Sequence, residues 1–168
     1  MKYGIDIGHN CPPSDIGYVG IRKEDELNKE VGAKIIAKLK ELKHEVMCCT
    51  PSADSSLSNS LYRRVNKANE ENVDLYVSIH FNGGKGHGTE VFAISEAGKK
   101  TAKRVVDEIA ELGYVNRGVK DGSFLYLLKN TKMPAILVEA GFVDSKDDME
   151  RYNAENIANA IVNGITTF

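Results

Sequence analysis

Three short apolar runs in this chain each stop at a side chain able to bind a metal ion or move a proton. Leu75-Tyr76-Val77-Ser78-Ile79, inside the stretch 73–82, ends in His80; Tyr3-Gly4-Ile5-Asp6-Ile7-Gly8 runs into His9; and Ala135-Ile136-Leu137-Val138 runs into Glu139. Short β-rich runs bounded by polar residues read as buried strands. In open α/β sheets, ligands sit in the crevice outside the carboxyl ends of the strands. If these three strands are parallel neighbours, His9, His80 and Glu139 meet in one crevice.

The segments between them set the fold class. Leu27, Val31, Ile35, Leu39 and Leu42 recur at helical spacing, predicting a helix from Glu24 to Lys43 with one apolar face. A short strand is predicted over Glu45 to Thr50, stopped by Pro51, and a second helix carries the stripe Leu57, Leu61, Val65, Ala68. The order β, α, β, α, β up to His80 calls for a sheet with a parallel core and helices on its faces. Further on, 89–95 alternates like a strand with one wet side and is expected at an edge. A third helix bears Ala102, Val105, Val106, Ile109 and Leu112, with Gly113 as its C-cap. Two more strands, 124–128 and 134–138, and a last helix burying Ile157, Ile161 and Ile165 complete the expected elements.

At 168 residues the chain fits a single α/β domain, 1–168, able to bury about two thirds of its unfolded surface. A net charge of -2 with mixed signs argues against a nucleic-acid surface, which needs a basic excess. No apolar run approaches the ~18 residues of a membrane span, so no membrane insertion is expected. Cys11, Cys48 and Cys49 are odd in number, and two are adjacent, which suits a reducing compartment. Cys48 and Cys49 on a strand imply one inward and one outward thiol. His44, at a helix end, reads as a capping cation.

His9, Glu24 and His80 together offer two imidazoles and a carboxylate. Three such protein bonds to zinc with a fourth position left for water is the arrangement of catalytic sites, whereas structural sites are closed and rich in thiolate. Cys11, two residues after His9, is a further possible ligand or a packed loop residue. The loop 10–20, with Pro12, Pro13, Gly17 and Gly20, is long enough to be functional. Asn82 and His87, just past His80, are candidate substrate contacts, with loop-holding and solvated-turn roles as the alternatives.

Several motifs, taken together, resemble a family. They are Ile5-Asp6-Ile7-Gly8-His9, Gly20 followed by Glu24-Asp25-Glu26-Leu27-Asn28, Ser78-Ile79-His80-Phe81-Asn82, Gly88-Thr89-Glu90, Asn116-Arg117-Gly118, and 134–142. Their order and spacing are similar to those of zinc-dependent N-acetylmuramoyl-L-alanine amidases, the catalytic domains of bacterial autolysins and phage endolysins. The resemblance implies a twisted, mixed, mostly parallel six-stranded sheet flanked by helices on both faces. It further implies that His9, Glu24 and His80 bind Zn²⁺ and that Glu139 is the catalytic acid/base. The implied substrate is peptidoglycan, cut at the amide joining N-acetylmuramic acid to L-alanine. The sequence departs from the family pattern after the first histidine, where Asn10-Cys11 stands in place of two glycines, and this bears on the substrate rim.

Without a charged-then-apolar leader ahead of Lys2, the expectation is a protein made in the cytoplasm that acts on the bacterial cell wall after release. A wall-binding module with the same fold and little turnover is the alternative from another class, and a metal-free scaffold domain is a third.

Overall fold

The computed structural model describes residues 1–167. Six strands form one sheet: β1 (Lys2–Ile7), β2 (Glu45–Cys48), β3 (Leu75–Asn82), β4 (Thr89–Ala93), β5 (Asn116–Asp121) and β6 (Ala135–Phe142). Their order is β2-β1-β3-β6-β4-β5, and every pairing is parallel except β4 with β6. The six helices are α1 (Glu24–Glu41), α2 (Leu57–Glu70), α3 (Glu96–Ala110), α4 (Tyr126–Asn130), α5 (Lys146–Arg151) and α6 (Ala154–Thr166).

β1, β3 and β6 are parallel neighbours, the condition under which their ends meet, and their carboxyl ends lie at one end of the sheet. Register is tight there: Ile7 pairs with Ile79, and His80 lies directly beside Glu139. A register shift between His80 and Asn82 then turns the end of β3. Irregular pairing of this kind commonly re-aims side chains beside a site.

Each face of the sheet buries its own apolar cluster. On one face Leu27, Val31, Ile35 and Leu39 of α1 pack with Val105 and Ile109 of α3 and Ile157 and Ile161 of α6. On the other, Val65 and Ala68 of α2 and Leu127 and Leu128 of α4 cover Tyr76 and Leu137.

Three expectations need correcting. The strand at 89–95 is not an edge: β4 is flanked by β6 and β5, and the edges are β2 and β5. The segment 124–128 is not a strand, because the fifth strand is Asn116–Asp121 and Tyr126–Asn130 forms a helical turn. Asn-Arg-Gly-Val-Lys-Asp has no apolar alternation because no residue of this edge strand is fully buried, so periodicity had nothing to detect. The adjacent Leu127 and Leu128 point their bulk into the second cluster from one short turn, which mimics a buried strand in sequence. Finally, His44 caps α1 through its main chain and not as a cation: its N–H donates to the Leu39 carbonyl at 3.0 Å after Lys43 takes the left-handed conformation (φ 64°), while its ring stands edge-on to Tyr3 at 5.2 Å.

Gly113 takes φ 96°, two residues beyond the Glu111 C-cap of α3. α5, which the sequence reading did not anticipate, is capped by Ser145, whose hydroxyl accepts from the Asp148 amide. Cys48 is exposed and Cys49 buried, as the alternation implied.

α3 and α6 approach so closely at Gly164 that an added Cβ would lie 2.7 Å from the Val105 Cα. Backbone cannot yield as a side-chain tip can. Gly164→Ala is expected to cost about 1–3 kcal/mol, read as a melting-point drop of about 2–4 °C per kcal/mol; a melting point equal to that of the parent would show that the two helices separate freely.

Candidate metal centre

His9 lies just past β1, His80 within β3 and Glu139 within β6, while Glu24 opens α1 and turns its carboxylate into the same cleft. The cleft, of about 480 Å³, is walled by Ile16, Gly17 and Tyr18 on one side and by Phe81, Asn82 and Gly83 on the other. One donor atom from each of His9, Glu24 and His80 lies within 4.8 Å of the other two. Glu24 Oε1 is 3.3 Å from His9 Nε2 and 3.0 Å from His80 Nδ1, and the two rings stand nearly perpendicular with centroids 4.9 Å apart.

Backbone geometry explains how His9 reaches this point. Both His9 and Asn10 have φ of 53°, a left-handed conformation uncommon outside glycine and tolerated by asparagine. Asn10 stands where the family pattern has glycine, and its side-chain amide donates to the carbonyls of Gly8 and Asp25, pinning the turn. Glu24 is fixed from its other oxygen, which accepts the Tyr18 amide at 2.9 Å. At Gly17 a Cβ would come within 2.8 Å of that same oxygen.

Burial and neighbouring charges shift the titratable groups of the cleft in opposite directions. Burial works to lower the His9 pKa, but the hydrogen bonds the ring donates to Asp15 and Glu24 outweigh it and raise the imidazole to about 10. Burial likewise favours neutral Glu24, yet the two imidazoles hold its carboxyl far below the usual carboxylate range. Glu139 moves the other way: burial first, then the charges of Glu24 and Glu90, push it well above its ordinary value. One Glu139 oxygen and the His80 Nε2 are shielded from solvent without a hydrogen-bond partner. Unsatisfied buried groups are rare in proteins and mark reactive or ligand-binding positions. Two imidazoles and one carboxylate, with an open side, fit the donor set of zinc.

Cys11 is completely buried and exchanges backbone hydrogen bonds with Asp15, so it is a packed loop residue. Among the described residues, the cluster able to hold a metal contains no thiolate. Asn82 faces the cleft, but its amide is spent on Glu90 and on the Gly83 N–H, which makes it a loop-holding residue. His87 is exposed in its turn and does not line the cleft.

The structure adds residues that sequence reasoning passed over. Arg64 on α2 is wholly buried with Asp6 and Asp15, and Ser60, Ser78 and Thr50 complete the network. The available signal was polar Asp6 and Ser78 interrupting otherwise apolar strands. They sit side by side in register.

An α/β domain whose parallel strands bring two imidazoles and a protonatable carboxylate to an open cleft, with a third candidate donor from the first helix, is the class defined by this geometry. The chain belongs to the N-acetylmuramoyl-L-alanine amidase family, whose model, Amidase_3, matches residues 4–167. It is 36% identical over 160 residues to the Uncharacterized protein CPE1502 of Clostridium perfringens, covering 90% of this chain and 47% of that one. The chain thus spans about half the length of that curated relative. The catalytic domain of the CD27L endolysin targeting Clostridia Difficile superimposes with a TM-score of 0.90 at 27% identity, over 98% of this chain and 96% of that one. The catalytic domain of CwlV, an N-acetylmuramoyl-L-alanine amidase from Bacillus (Paenibacillus) polymyxa var. colistinus, gives 0.84 at 30% identity, with coverage of 98% and 96%.

Metal ligation needs a neutral imidazole. Since His9 keeps a proton up to about pH 10 in the metal-free protein, Zn²⁺ uptake is expected to release about one proton near neutral pH. Apparent affinity is expected to strengthen as pH rises from about 6 to 9. Calorimetric titrations in two buffers of different ionisation enthalpy measure that release, and uptake without it would contradict the charge state described for His9.

Proposed function

We propose that this domain hydrolyses the amide between N-acetylmuramic acid and L-alanine in peptidoglycan, with Zn²⁺ held by His9, Glu24 and His80 and with Glu139 as acid/base. The observation that carries this reading is the register of β3 and β6, which puts the partnerless carboxyl of Glu139 directly beside one imidazole of a three-donor cluster. Membership of the amidase family supports the choice of bond.

Zn²⁺ in such a site polarises a carbonyl, acidifies water and favours the ionised form of a neighbouring carboxylate. The protein supplies the rest. His9 and His80 offer ring nitrogens from two strands, and Glu24 brings a negative charge held in place by the Tyr18 amide. Glu139 takes the proton of the attacking water and returns it to the departing L-alanine amine. A carboxyl whose proton affinity is raised by burial is suited to that exchange near neutral pH. The cleft is open along one side, as a polymeric substrate requires, and its rim exposes Ile16 and Tyr18 as apolar surface.

The whole of 1–168 acts as one catalytic unit on the bacterial cell wall. No helix among the described residues is long and apolar enough to cross a membrane.

Glu139→Ala is expected to retain zinc while losing hydrolysis by at least about 100-fold; His80→Ala is expected to lose both. Zinc is read by elemental mass spectrometry, and hydrolysis as newly freed L-alanine amino groups on purified peptidoglycan without new reducing ends. Equal metal loss in the two variants would overturn the division of roles, and new reducing ends would mark a glycosidase.

A further inference from the structure

Arg64 is a guanidinium with 1% side-chain exposure, carried by α2 into the space behind the cleft. All of its donor nitrogens are engaged. Nε donates to Ser60 Oγ at 3.2 Å, Nη1 to Asp6 Oδ1 and to the Ile7 carbonyl, and Nη2 to Asp15 Oδ2 at 3.0 Å and to the carbonyl of His9 itself. One side chain therefore holds the first candidate ligand by its backbone and also holds the carboxylate that touches its ring.

That carboxylate divides its two oxygens between tasks. Asp15 Oδ2 accepts from Ser60 at 2.7 Å and from Arg64, while Oδ1 lies 2.9 Å from His9 Nδ1. An ionised carboxylate can only accept, so His9 Nδ1 donates to Asp15, and Nε2 is the ring nitrogen turned towards Glu24 and the metal site. A partner of this kind fixes both the tautomer and the direction of a metal-binding histidine. Buried ion pairs are weak evidence for stability, because desolvation offsets much of their attraction. Two buried carboxylates gathered round one guanidinium therefore call for another explanation.

We propose that Asp15 is the positioning residue that aims His9 Nε2 at the metal site, and that Ser60 and Arg64 on α2 lock Asp15 in that orientation. The inference rests on the zinc reading of the site and extends it to α2, an element that contributes no ligand. Its consequence is that ordering of the loop 10–20 and metal affinity are joined through the Asp15 carboxylate.

The test compares zinc affinity, by chelator competition on the metal-free proteins, for wild type, Asp15→Asn and Ser60→Ala. Melting temperature and the ¹⁵N chemical shifts of His9 are measured alongside. Asp15→Asn is expected to weaken zinc binding by about 10- to 100-fold, with native near-ultraviolet circular dichroism and a His9 Nδ1 shift that no longer reports the hydrogen bond to Asp15. Ser60→Ala, which removes one donor to Asp15, is expected to weaken it roughly 2- to 10-fold. Variants that melt earlier but bind zinc as tightly as wild type would assign the network to fold stability alone and overturn the proposal. Should Asp15→Asn fail to fold, Ser60→Ala decides by the same criterion. Wild type that binds no zinc would remove the metal reading and this inference with it, a result distinct from wild type and variants binding alike.

Discussion

Parallel pairing of β1, β3 and β6 is the constraint from which the site follows. Backbone hydrogen bonds between adjacent strands, not contacts among the functional side chains, bring together residues as distant in sequence as His9 and Glu139. A sheet register is an all-or-none specification, since a slip of one residue turns every side chain to the opposite face. The apolar residues on both faces of these three strands pin that register, so the stability of the core and the geometry of the cleft rest on the same side chains.

Around this frame the protein accepts several locally unfavourable features. His9 and Asn10 occupy a backbone region that costs non-glycine residues of order 1–3 kcal/mol each when sparsely favoured. Asp6, Asp15 and Arg64 are removed from water, and Glu139 keeps an oxygen without a partner. These cluster within one end of the sheet, while the two apolar clusters elsewhere are conventional. Concentration of such features where parallel strands end is what separates a working site from a scaffold.

Much of this was legible in the sequence, and what was not has physical reasons. Periodicity located α1 and the central strands because their burial alternates or runs uniformly. It placed His9 just past a strand for the same reason, but it ended the next two at His80 and Glu139, whereas β3 runs on to Asn82 and β6 to Phe142. β5 was invisible because an edge strand without fully buried side chains leaves no apolar signature, and 124–128 misled because a single buried turn and a short buried strand look alike. On α2 the stripe 57, 61, 65, 68 described only part of the inward face: Leu57 is half-exposed, and Ser60 and Arg64 are buried instead. A hydrophobic count cannot find a polar pair whose burial depends on partners 45 and 49 residues away. Asp15 was hidden similarly, inside a loop whose prolines and glycines announce only irregular backbone.

The grip on Glu24 has a consequence for how such a cleft can change. Tyr18 holds the carboxylate through its main-chain amide, while its ring lies over Gly83 at the mouth of the groove. Neighbouring Gly17 has no room for any side chain, but residue 18 meets Glu24 with an N–H common to every amino acid except proline. The lip can therefore be resurfaced at that position, altering what enters, without disturbing the hold on Glu24 beneath it.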